Sequence, residues 1–190
     1  VIEDNDINQR VAQLQLEKLH CQVKLRSCGE AVLDEELSEF DLIFMDCHMP
    51  GMDGFEATRK IREMESGVEP SYIIAMTANA REEDRKKCIM AGMNDFISKP
   101  VQLAELEKSI NKALGRAKTP EPLAKEVLPR DTLREIIPLY IKQARELVTA
   151  IHEADAAKDN KIIREISHQL KGSSANIGAR AFAELCGKLE

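Results

Sequence analysis

Five residues that lie far apart in the chain have the side chains for one kind of chemistry: Glu3, Asp4, Asp46, Thr77 and Lys99. Each stands at the end of a short apolar run, or just past it. Three carboxylates brought together repel and need a cation. Ligands that offer only oxygen suit Mg2+ better than a softer metal. A Mg2+ with open coordination positions can bind phosphoryl oxygens and neutralise developing charge. Lys99 can pair with another oxygen, and Thr77 can hydrogen-bond a third. Asp46 is then the nucleophile. Taken singly, Asp4 or Thr77 is equally well read as a polar residue capping a helix.

A second set surrounds His168. On a helix at about 100° per residue, Ile162, Ile163, Ile166 and Leu170 form one stripe, and His168 falls almost opposite its centre. That placement argues against a buried structural histidine and leaves two readings, an ordinary surface residue or a reactive one. Lys171, one turn on, can pair with a phosphoryl oxygen. Gly172 is costly inside a helix, by roughly 1 kcal/mol relative to Ala. Its cost makes sense if a partner's loop must approach the imidazole closely.

The elements needed to hold these groups are legible. Up to about residue 114, apolar strand candidates alternate with amphipathic helical patterns. The strands are Val1-Ile2, Val23 to Leu25, Leu42 to Met45, Tyr72 to Met76 and Phe96-Ile97. The helical stripes include Val11, Leu14 and Leu19, and later Phe55, Ala57 and Ile61. Such alternation predicts a parallel sheet covered on both faces, an α/β fold. Ligands of such sheets bind beyond the carboxyl ends of the strands, where the five residues fall. Gly92 suits the end of a helix starting near Arg81.

Residues 115–130 change character. Gly115, Pro120, Pro122 and Pro129 break regular structure and predict a linker. From Asp131, a candidate helix cap, the pattern is helical throughout. Leu133, Ile136, Ile137, Tyr140, Ala144, Leu147 and Ile151 have bundle spacing. Pro138 predicts a kink or a split first turn. A second helix is expected from Asn160 to Ala175. A third, from about Ala179, carries Phe182, Leu185, Cys186 and Leu189.

Ile2-Glu3-Asp4-Asn5 with Asn8, Phe44-Met45-Asp46-Cys47-His48-Met49-Pro50-Gly51-Met52-Asp53-Gly54, Met76-Thr77-Ala78-Asn79-Ala80 and Ser98-Lys99-Pro100 together resemble the motifs of response-regulator receivers. The resemblance is strongest to receivers attached to hybrid histidine kinases. It implies a flavodoxin-like, doubly wound, five-stranded parallel sheet over residues 1–114, with the first strand cut short. It implies that Asp46 accepts a phosphoryl group. It makes Glu3, Asp4, Asp46 and the backbone carbonyl of His48 the Mg2+ ligands, puts Thr77, Ala78 and Lys99 on the phosphoryl group, and gives Thr77 and Phe96 a switch role. Phe96 is equally well read as core. The His48 side chain is expected to be exposed and to tune the lifetime of the phosphoryl group.

His168-Gln169-Leu170-Lys171-Gly172-Ser173-Ser174-Ala175-Asn176-Ile177-Gly178-Ala179 resembles the signature of histidine phosphotransfer (HPt) domains. By that resemblance His168 carries phosphorus on an imidazole nitrogen, Lys171 supports it, and Gly172 keeps the docking surface open. It implies an all-α partial four-helix bundle over residues 131–190, with the fourth helix absent.

The implied function is phosphorelay signalling by a fragment of a hybrid histidine kinase. The implied partners are an upstream histidine kinase domain and a downstream response regulator receiver. Rivals are a non-catalytic interaction module and an aspartyl-phosphate hydrolase; the latter often wants a carboxylate where His48 stands. No glycine-rich phosphate loop is present, so an ATP-binding kinase domain is expected outside this chain.

Composition bounds the rest. A net charge of -6 without a basic block argues against nucleic-acid binding. The charge-free run from Pro70 to Ala80 is too short to cross a bilayer, and no signal peptide is evident. Five cysteines without zinc or disulfide spacing read as reduced thiols of a cytoplasmic chain, with a membrane anchor left open for the parent protein.

Overall fold

The structure, a computed structural model, describes residues 1–65, 70–78, 82–115 and 130–189. It divides into two compact units, Val1–Lys125 and Glu126–Glu190.

In the first unit, helices α1 (Asp6–Lys18), α2 (Glu30–Leu33), α3 (Gly54–Met64), α4 (Glu82–Ala91) and α5 (Leu103–Ala113) surround strands β1 (Ile43–Asp46), β2 (Ile73–Thr77) and β3 (Asp95–Ser98). The strands pair in parallel, in the order β1-β2-β3. Two further segments join the same sheet through single bridges. Ile2 pairs in parallel with both Arg26 and Met45. Backbone hydrogen bonds from Ile2 to Phe44 (2.8 Å) and from Asp46 to Ile2 (2.9 Å) fix it beside β1. Along the sheet the order is therefore Arg26, Ile2, β1, β2, β3, the flavodoxin-like order with its crossover beside β1. The Val23 to Leu25 candidate is not a regular strand: the bridge falls one residue on, at Arg26, and the Val1 amine donates to the Lys24 carbonyl at 2.8 Å.

The central strands are buried on both faces, and side-chain alternation divides them between two cores. Ile43, Met45, Ile73 and Ala75 pack with Val32, Ala57, Ile61 and Cys88 under α2, α3 and α4. Phe44, Ile74, Met76 and Ile97 pack with Leu16, Leu106 and Ile110 under α1 and α5. Each fully buried branched side chain contributes about 1.5–3 kcal/mol. The inner face of α1 is Val11, Ala12, Gln15 and Leu16, with Leu14 and Leu19 only half-buried, so the apolar spacing misplaced that stripe by about one position. Gln15 belongs inside because its amide donates to the Val101 carbonyl at 3.1 Å. Gly92 follows α4 at φ +99°, as its position predicted.

Most of the expected linker, residues 116–129, lies outside the described residues, as do Asn79, Ala80 and Arg81. The second unit contains α6 (Arg130–Ala156), α7 (Asn160–Asn176) and α8 (Arg180–Cys186) among the described residues. Asp131 lies inside α6 rather than at a cap position. The helix continues through Pro138 without splitting. Pro138 is exposed, and a carbonyl that has lost its N–H partner on that side can turn to water. Asp159 caps α7, accepting from the Lys161 and Ile162 amides at 3.1 Å.

The apolar stripes of α7 and α8 differ from expectation. Leu170, Ser167, Ser173 and Ser174 are the buried residues of α7, while Ile162 is 43% exposed. Small hydroxyl residues let α7 sit close to its neighbours, and the Ser173 and Ser174 hydroxyls donate back to the Leu170 carbonyl. On α8, Ala183 and Cys186 face inward and Leu185 lies outside, as does Leu189 beyond the end of the helix.

Candidate functional site

Parallel strands end on one edge, and the register sets which residues meet there. Asp46 pairs with Met76, and Thr77 pairs with Ser98. Asp46 and Thr77 are therefore the last residues of their strands, with Lys99 one step past β3. The Lys99 amide donates to the Thr77 carbonyl at 2.7 Å. Glu3 follows Ile2, which the bridges hold beside β1. The same edge receives all four.

The side chains converge. Lys99 Nζ lies 2.6 Å from Asp46 Oδ2 and 2.6 Å from Glu3 Oε2. Asp46 Oδ1 accepts the His48 amide at 3.1 Å. Glu3 Oε1 accepts from Asn8 Nδ2 at 2.8 Å. Asn8 is in place because Asn5 caps α1, accepting the amides of Ile7 and Asn8 at 3.0 and 3.1 Å. Glu3, Asp4 and Asp46 each offer a carboxylate oxygen within 4.8 Å of the others. Asp46, Glu3 and Thr77 are buried and Asp4 is half-buried.

Burial pushes the Glu3 carboxyl up to about 7, a rise that Lys99 partly offsets and Asp46 reinforces. At Lys99 burial opposes the charge, but the carboxylates of Glu3 and Asp46 outweigh it and hold the ammonium above the ordinary lysine value. A buried ammonium gripped by two carboxylates stays charged.

The donor set fits a hard divalent cation. Every side chain that could ligate it offers oxygen, and three carboxylates against one ammonium leave two negative charges. Oxygens around Mg2+ at about 2.1 Å sit roughly 3–4 Å apart. The trio's oxygens, within 4.8 Å of one another, stand close to that spacing. Such an ion would supply charge neutralisation for phosphoryl oxygens.

Around this centre the loop after β1 is held by several contacts. Asp53 caps α3 through the Glu56 amide at 2.7 Å. The Gly54 amide donates to the Cys47 carbonyl at 3.3 Å. A Cβ on Gly54 would stand 2.0 Å from the Asp46 carbonyl oxygen, so only glycine fits there. Glu30 accepts the Met52 amide at 3.0 Å. His48 is exposed, with its ring edge-on to Phe55 at 6.1 Å between centroids. Phe96 is half-buried against the first core, with the Arg85 guanidinium 5.4 Å from its ring centre. Ala78 follows Thr77 and is exposed. The roles of Asn8 and Gly54 were not read from the sequence, although both lie in its motifs. The Asp-Gly pair that opens α3 was the available signal for Gly54.

In the second unit His168 is exposed on α7, with half-buried Lys171 and Gly172 further along the helix. Behind them Tyr140 Oη and Ser174 Oγ meet at 2.8 Å, joining α6 to α7.

Residues 1–111 match the family model for the response regulator receiver domain. The chain belongs to that family. Residues 135–190 match the model for the Hpt domain, so a receiver is followed here by an Hpt domain, as in hybrid histidine kinases. Hybrid signal transduction histidine kinase K of Dictyostelium discoideum is 43% identical over 121 residues, 60% of this chain and 10% of that protein. The virulence sensor protein BvgS of Bordetella bronchiseptica is 26% identical across 100% of this chain, which spans 18% of that protein. The receiver domain of sensor histidine kinase PA1611 from Pseudomonas aeruginosa has a crystal structure with a magnesium ion coordinated in its active site cleft. It is 42% identical, with a TM-score of 0.53, over 60% of this chain and 93% of the other. This chain thus spans less than a fifth of the length of either of these curated relatives. Among the described residues, no helix is long and apolar enough to cross a membrane.

Proposed function

We propose that this chain passes a phosphoryl group between a histidine and Asp46 in a phosphorelay, with His168 as a second carrier. The observation that carries this reading is the grouping of Glu3, Asp4 and Asp46 within 4.8 Å, with Lys99 bonded to Asp46. Residues 1–114 act as the receiver, 115–130 as the linker and 131–190 as the HPt domain.

In the forward step an oxygen of Asp46 attacks phosphorus in line with the donor imidazole. The P–N bond breaks, its electron pair returns to the ring nitrogen, and a P–O bond forms. Glu3, Asp4, Asp46 and the His48 carbonyl would hold Mg2+, which when bound would supply neutralisation of charge on the phosphoryl oxygens. Lys99 moves from the Asp46 carboxylate to a phosphoryl oxygen, and Thr77 with the Ala78 amide takes another. Thr77 and Phe96 then report the change to the surface. The reverse attack, by a nitrogen of His168, loads the Hpt helix. Lys171 steadies its charge, and Gly172 leaves room for the receiver that docks there. The donor is an upstream histidine kinase domain and the acceptor a downstream receiver. The free cysteines fit a cytoplasmic setting.

The test is incubation with a small acyl phosphate and Mg2+, comparing wild type, Asp46→Ala and His168→Ala. Base-labile acyl phosphate should form in wild type and His168→Ala and vanish in Asp46→Ala. Acid-labile phosphoramidate, loaded from a phosphorylated cognate receiver, should vanish only in His168→Ala. Label that persists in Asp46→Ala at another carboxylate would refute the assignment.

A further inference from the structure

Two cysteines that are 41 residues apart in sequence bring their sulfurs to 3.9 Å: Cys47, next to Asp46, and Cys88 on α4. Both are buried, at 0% and 2% exposure. The backbone of Cys47 is fixed on both sides, its amide donating to Met76 at 3.0 Å and its carbonyl accepting from Gly54 at 3.3 Å. The other partner lies in α4, where its carbonyl accepts the Met93 amide at 3.0 Å, and little of the helix around it is buried. From Asp84 to Ala91, only Cys88 and Ala91 of α4 are buried, both small, while Ile89 and Met90 are 61% and 85% exposed. A helix seated on two small side chains opens locally at low cost. Opening admits a small oxidant and lets the Cys88 sulfur travel the remaining distance to a disulfide, about 2 Å.

We propose that Cys47 and Cys88 form a reversible intramolecular disulfide under peroxide, and that this bond slows phosphoryl uptake at Asp46. One thiol attacks hydrogen peroxide, the O–O bond breaks, and a sulfenic acid and one water result. The second thiol displaces the sulfenic oxygen as a second water and closes the S–S bond. Two sulfurs are oxidised and two peroxide oxygens are reduced. An added dithiol reverses the step by exchange. The effect on uptake rests on the phosphoacceptor reading. The bond would tie the residue after Asp46 to the helix that follows the Thr77 strand, holding the site in one arrangement. The competing reading is that the two thiols are merely small apolar fillers of the core.

The full chain is treated with hydrogen peroxide, blocked with an alkylating agent, and mapped by mass. The expected map links the Cys47 and Cys88 peptides, with loss of two hydrogen masses, and dithiothreitol restores both thiols. Phosphoryl uptake from a small acyl phosphate with Mg2+ should slow on the order of tenfold after oxidation and recover on reduction. Cys88→Ala should take up phosphoryl as the reduced wild type does, and peroxide should not change its rate. Thiols that remain alkylatable, or oxidise without cross-linking, overturn the disulfide. A cross-link with unchanged uptake, or equal slowing of Cys88→Ala, overturns the gating. If reduced wild type takes up no phosphoryl, the acceptor reading fails and the gating with it, while the map alone still judges the disulfide.

Discussion

Lys99 Nζ bonds Asp46 Oδ2 and Glu3 Oε2 at the same distance, 2.6 Å, so one ammonium joins the candidate nucleophile to a candidate metal ligand. The lysine side chain is 10% exposed and the carboxylates less, so solvent screens this cluster weakly. Removing one partner of a buried ionic cluster costs about 3–5 kcal/mol, because the remaining charges are left facing each other. Lys99→Met keeps the stem and deletes the charge. Without metal it should lower unfolding free energy by about 3 kcal/mol, and Mg2+ should restore part of that loss. Phosphoryl uptake should fall about a hundredfold even with saturating Mg2+. Denaturant titrations with Mg2+ and with chelator check the first part. Equal stability of variant and wild type in chelator would show that the cluster is not formed.

Gly54→Ala reverses the usual sign of that substitution. Alanine ordinarily stabilises a helix by roughly 0.5–1 kcal/mol over glycine. Here the new Cβ meets the Asp46 carbonyl oxygen at 2.0 Å and Met45 Cγ at 2.9 Å. A backbone atom cannot rotate away, so α3 or the end of β1 must move. The variant should lose about 2 kcal/mol and show slower phosphoryl uptake, as read by thermal melting and a labelling time course.

Much of this was legible because strand ends are marked by chemistry. Glu3, Asp4, Asp46, Thr77 and Lys99 could be grouped without coordinates, since parallel topology sends every strand end to one edge. Contacts that depend on rotamers or on close backbone approach could not. Asn8 holds Glu3 only because Asn5 first turns the chain into α1. Cys47 lies in the motif after β1 and Cys88 in no motif at all, on α4, and nothing in their spacing predicts adjacent sulfurs. The α7 stripe was misjudged because burial there follows small hydroxyl residues rather than isoleucines. Ser167, Ser173 and Ser174 look polar in sequence, yet Ser173 and Ser174 satisfy their oxygens on the carbonyl of Leu170.

Glu3 carries a pH dependence whose sign is fixed by its environment. Its folded value, raised mainly by burial to about 7, exceeds the ordinary 4.5 expected when unfolded. The folded chain therefore binds the proton more tightly, and protonated Glu3 favours folding. That contribution is complete below pH 4.5 and is lost as pH rises through about 7. Mg2+ replaces the proton as counter-charge, so saturating Mg2+ should flatten the decline. Glu3→Gln should flatten it in chelator as well. Unfolding titrations between these two pH values, with chelator and with Mg2+, test the claim. A slope unaffected by Glu3→Gln would assign the decline to other groups.

Tyr140→Phe separates the helical unit from the carboxylate site. The Tyr140 hydroxyl meets Ser174 Oγ at 2.8 Å, and Ser174 also donates to the Leu170 carbonyl at 2.5 Å. Deleting the phenol oxygen leaves Ser174 one partner and keeps the ring, so the cost should be about 1 kcal/mol. The loss should be confined to α6 and α7, appearing as faster amide exchange in those helices with the sheet unchanged. Tyr140 and Asp46 belong to different units, so label on Asp46 should form at the wild-type rate. Loading of His168 should fall only in proportion to the unfolded fraction. A drop in His168 loading beyond that fraction would mean that the Tyr140–Ser174 contact positions the imidazole as well as supporting the helix.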